Sequence, residues 1–146
     1  MSGTDTVSVV IHASAQDVFD FMADAGKMTL WSFGTWSLTG LDDGLFEGRA
    51  LASNAPILLR IDPDPDRLLI DYHLGDTDAT LQPRIYVRIV PGSVTGQGET
   101  TATLILTALR DVGMDAERWA RMRRAHGFEL DVIKDLIESG HDHRTA

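Results

Sequence analysis

The stretch from about Asp115 to Ser139 constrains this chain most. At about 100° per residue, Trp119, Met122, His126, Leu130, Ile133, Leu136 and Ile137 gather on one side, while Arg121, Arg124, Asp131 and Lys134 fall largely elsewhere. The spacing predicts a long amphipathic helix. Gly140 is a fitting stop, and 141–146 read as a frayed tail. A helix of this kind must lay its apolar side on another layer, which the residues before it have to provide.

Those residues alternate strand-like runs with turn chemistry. Val7 to Ile11 reads as a strand, after which Ser14 caps a helix with Asp17 in its first turn and Val18, Phe19, Phe21 and Met22 on its apolar side. That helix ends near Gly26. A second helical turn spans Lys27 to Trp31, and Gly34 releases the chain into extended structure. Six strands are expected at 35–40, 46–52, 57–61, 68–74, 81–90 and 100–110, divided by Asp/Gly, Asn/Pro and Asp/Pro turns. The order implies an α+β fold in which a curved antiparallel sheet of about seven strands wraps around a long C-terminal helix, with two short helices after the first strand. One helix cannot fill a strongly curved sheet everywhere, so a cavity between the two is expected.

With 146 residues, 43% hydrophobic and 24% charged, the chain fits one domain spanning 1–146. It has no cysteine, which removes disulfides, thiolate nucleophiles and sulfur-ligated zinc. Thirteen Lys plus Arg against 22 Asp plus Glu give a net charge of −9, so nucleic acid is not an expected partner. Arg118, Arg121, Arg123 and Arg124 read as a solvated helix face. Met1 to Thr6 has no signal-peptide character and no run approaches the roughly 18 apolar residues of a membrane span, so the cytoplasm is the expected compartment.

The segment Val9-Val10-Ile11-His12-Ala13-Ser14-Ala15-Gln16-Asp17-Val18-Phe19-Asp20-Phe21-Met22-Ala23-Asp24, followed by Trp31, resembles the START-like (SRPBCC) superfamily. Its members include polyketide cyclases, pollen-allergen-like carriers and lipid-transfer domains. The resemblance is sharp in the first 35 residues and extends in element order over nearly the whole chain. It implies the helix-grip fold and a cavity for a small, largely apolar or aromatic molecule. Carriers, cyclases, dehydratases and co-chaperones share this framework, so the fold does not choose the chemistry.

Candidate site residues follow from position. His126 lies mid-face on the last helix with Glu129 three residues on, an arrangement suited to a proton-transfer pair, or to a buried imidazole satisfied by the sheet. Arg110 ends an alternating strand at its inner rim, where it suits an oxyanion or caps the approach to the helix. In the enzymatic reading His126 moves the proton, Glu129 orients it and Arg110 stabilises the oxyanion. Trp31, Trp36, Tyr72, Trp119 and Met122 line the pocket, the core, or both. Arg84 alternates with apolar residues and faces solvent, unless Pro83 marks a bulge that turns it inward.

Asp62, Asp64 and Asp66 read as a turn rather than a calcium loop, Gly92 to Gly98 as a hairpin connection, and His141-Asp142-His143 as adventitious ligands at most. No cofactor or metal is expected. A ligand-binding protein with cyclase- or dehydratase-like chemistry leads, with a non-catalytic carrier or sensor, or a co-chaperone-like interaction domain, as alternatives. A homodimer stays open.

Overall fold

The computed structural model describes residues 2–51, 53–142 and 144, with Trp36 described in its backbone alone. The first strand, β1 (Thr4–Ile11), starts earlier than its apolar run suggests. Its alternation turns Asp5, Val7, Val9 and Ile11 inward, so an acidic residue heads an otherwise apolar face. Helix α1 (Ala15–Ala23) begins where Ser14 Oγ accepts the Asp17 N–H at 3.1 Å. Asp24 is extended and breaks the helical path, yet its carboxylate caps α2 (Ala25–Trp31) at the Gly26 N–H, 2.9 Å away.

The chain then builds β2 (Thr35–Gly40), β3 (Leu45–Ala50), β4 (Pro56–Asp64), β5 (Leu69–Gly75), β6 (Gln82–Pro91) and β7 (Ala102–Leu109). They form an antiparallel seven-stranded sheet in the order β1-β7-β6-β5-β4-β3-β2, a meander closed by β1 joining β7. The long helix α3 (Ala116–Ser139) is capped by Asp115, which accepts the Arg118 N–H at 2.8 Å, and ends at Gly140 in the left-handed region.

One boundary corrects the sequence reading. Asp62, Pro63 and Asp64 belong to β4, and the turn falls at 65–68 instead. Pro63 is tolerated because β4 has outrun β3 there, whose pairing stops at Arg60, so the strand pairs on the β5 side alone. Pro83 marks a bulge: Tyr72 faces Ile85 while His73 faces Pro83, leaving Arg84 as the extra residue of β6.

The core sits on the concave face, where Leu59, Ile70, Tyr72, Val87, Leu104 and Leu106 are almost wholly buried with Met22, Trp31, Leu130 and Ile133 from the helices. Burial fades toward the β2–β6 end of the same face. Leu38, Phe46, Leu74 and Ile85 are only half-buried there, although strand parity points them inward. β2 comes close over β3 at Gly48, where a Cβ would lie 2.5 Å from Thr35 and 2.6 Å from the Ser37 carbonyl.

Candidate functional site

Helix α3 presents two flanks to the grip. His126 and Arg123 lean on β1: His126 Nδ1 lies 3.5 Å from Asp5 Oδ2, and Arg123 Nε lies 3.3 Å from Asp5 Oδ1. His126 is 4% exposed, and neither Nδ1 nor Asp5 Oδ2 has a closer hydrogen-bond partner among the described residues. Burial pushes the imidazole below its ordinary value, against the opposing pull of Asp5, so the neutral form dominates near pH 7. At the other end of the helix, the His12 N–H donates to Glu138 at 2.8 Å and completes the α3–β1 clamp.

The second flank carries Met122 and Glu129, seven residues apart and so nearly in line along the helix axis. Glu129 is 7% exposed and takes a backbone hydrogen bond from Phe33, in the connection between α2 and β2. Burial raises its carboxyl to about 7, and the Phe33 bond offsets part of that rise. Directly beside it in sequence, Phe128 stacks on Phe33 with ring centroids 5.5 Å apart and planes 26° apart. Both rings remain exposed, at 59% and 40%, and Leu51 follows at the same end, its N–H bonded to the Gly34 carbonyl. A buried titratable acid thus lies behind an exposed aromatic pair.

The aromatic candidates divide. Trp31 and Tyr72 pack edge to face at 6.5 Å in the centre of the core, and the Tyr72 hydroxyl donates to the Met22 carbonyl. Complete burial pushes that phenol upward, which keeps it protonated. Trp119 is fully buried and Met122 half-buried. The indole N–H groups of Trp31 and Trp119 are buried donors without an acceptor among the described residues. The Trp36 side chain lies outside the described residues.

Both arginines have local work. Arg110 directs Nε and Nη2 to the Met114 carbonyl at 3.0 and 2.8 Å, closing the turn that leads into α3. Arg84 reaches Asp111 at 3.1 Å and Gln82 at 2.6 Å. His126 and Glu129 therefore stand one helical turn apart but diverge: the carboxylate beside the imidazole is Asp5, and Glu129 answers to Phe33. Sequence reasoning missed Asp5, Phe33 and Phe128. The period-two run Asp5, Val7, Val9, Ile11 was the available signal for the first; nothing local announces the other two.

The architecture is the START-like helix-grip fold. Among solved structures it resembles Zhui, an aromatase/cyclase from Streptomyces sp. R1128, at 17% identity over 97% of this chain and 96% of that one, TM-score 0.65. It also resembles BexL, a di-domain aromatase/cyclase of the BE-7585A biosynthetic pathway, at 21% identity and TM-score 0.67; 94% of this chain matches 47% of that protein. The Aha1 dimer from Colwellia psychrerythraea matches at 12% identity over 97% and 100% of the two chains, TM-score 0.67. No protein-family model and no curated protein matches the sequence.

Proposed function

We propose that this chain binds a small, largely apolar or aromatic molecule in the half-covered part of the grip, between α3 and the β2–β6 end of the sheet, and that Glu129 exchanges a proton with it. The observation that carries the reading is Glu129 itself. A carboxyl raised to about 7 inside an apolar layer is poised to give and take a proton near neutral pH. The half-buried strip Leu38, Phe46, Leu74 and Ile85, together with Met122, supplies apolar lining, and the Trp31 N–H is a buried donor without an acceptor among the described residues.

Zhui and BexL are aromatase/cyclases, and a dehydration of a carbonyl-bearing ligand suits one carboxyl group. Protonated Glu129 delivers its proton to a departing hydroxyl, which leaves as water, and the resulting carboxylate takes the proton lost from the adjacent carbon. His126, held by Asp5, positions α3 against β1 in this scheme, and Arg110 shapes the approach to the helix. The chain works in the cytoplasm and needs no cofactor for such a step.

A second reading, a protein-interaction domain, draws on the exposed Phe33–Phe128 pair and on the tight packing around Trp31 and Tyr72. Competition with an apolar fluorescent probe separates the two. Micromolar probe binding, displaced by small phenols and aromatic ketones and altered in Glu129→Gln, supports the ligand site. Folded protein that binds nothing across such a panel supports the interaction domain.

A further inference from the structure

The convex face of the sheet, opposite the grip, brings together residues with no part in that site. Asp62 on β4 stands directly across from Asp71 on β5, and His73 follows Asp71 by two residues on the same face. One ligand atom from each of the three lies within 4.8 Å of the others. We propose that Asp62, Asp71 and His73 form a binding site for a divalent transition-metal ion of the zinc class, clipping β4 to β5 from outside.

Two carboxylates facing each other across an antiparallel pair repel, yet none of the three side chains has a hydrogen bond or ion pair among the described residues. Arg60 pairs with His73 in register and Arg88 shares the face, but neither guanidinium closes on the carboxylates. A bound dication turns that repulsion into attraction. The donor set selects the ion: imidazole nitrogen favours zinc and its neighbours over calcium and magnesium, and two carboxylate oxygens complete three protein ligands. Ligand atoms around such an ion stand about 3–4 Å apart, so modest side-chain rotation closes the present arrangement. Asp62 and His73 also line an outer hollow of about 610 Å³ together with Asp78, which places a further carboxylate at the same hollow.

Isothermal titration of the whole chain with zinc chloride, in a buffer that does not chelate, tests the site. One equivalent should bind with low-micromolar affinity. His73→Ala and Asp71→Asn should each weaken it by at least the roughly tenfold lost when even an outer partner of a metal ligand is removed. His141→Gln/His143→Gln, which removes the competing tail histidines, should leave it unchanged. Thermal melting supplies the second readout. Without zinc, Asp71→Asn should melt no lower than the parent, since it relieves a like-charge pair; with zinc, the parent and the tail variant should gain stability and Asp71→Asn should not. Absence of binding, binding that survives both site variants, or binding lost with the tail variant would overturn the proposal.

Discussion

Glu129 carries a measurable signature of its surroundings. Its carboxyl binds a proton more tightly folded than unfolded, about 7 against 4.5, so the folded state holds the extra proton between those values. Stability from this group is therefore intact below about pH 4.5 and falls as pH rises through 7. Glu129→Gln should be neutral near pH 4 and stabilising at pH 8, by on the order of 3 kcal/mol at most, the size of such a shift. Melting curves at the two pH values check this, and equal effects at both would contradict it. His126 runs the other way. Its folded value is depressed, so its contribution is present above the unfolded value of 6.5 and is lost as pH falls below it. His126→Leu should change stability by about 1–2 kcal/mol at pH 8 and flatten the decline toward pH 5. His126 was legible as a buried polar residue from helical periodicity alone. Its partner was harder to read: Asp5 continues the period-two run of Val7, Val9 and Ile11, but it sits inside the polar run Thr4-Asp5-Thr6, which only pairing with β7 makes a strand.

At the scale of elements, α3 was the most legible because 3.6-residue periodicity is a local property, and its Asp115 cap and Gly140 stop are local chemistry as well. Asp115→Ala should cost about 1 kcal/mol, seen as a melting point lower by a few degrees, by removing the acceptor for the Arg118 N–H. Strand β4 was less legible. Pro63 between two aspartates has turn composition, and only the retreat of β3 lets the strand continue through it. Gly48 belongs to the same class of hidden constraint, since nothing in its neighbours announces that β2 passes so close. Gly48→Ala should destabilise by about 1–3 kcal/mol, the usual range for overpacking, because Thr35 and the Ser37 carbonyl must both give way. It should also weaken probe binding, because Leu38 beside it borders the half-covered strip. Urea unfolding and probe titration on one preparation report both effects.

Taken whole, the molecule gives the sheet two characters. Its concave face is apolar and gripped by helices, while its convex face gathers carboxylates in a chain of net charge −9. The division follows from strand parity, and it places the grip and the Asp62-Asp71-His73 cluster on opposite sides of one layer. The central claim concerns the grip: a small apolar or aromatic molecule enters between α3 and the β2–β6 end of the sheet and meets Glu129. Methyl-resolved NMR on the folded chain, titrated with a small aromatic ketone, tests this most directly. The account expects saturable shifts at Leu38, Leu74, Ile85 and Met122, with the Glu129 carboxyl carbon changing its titration midpoint. Shifts confined to Leu41, Val94 and Val112 on the surface, or none at any concentration in folded protein, would contradict it.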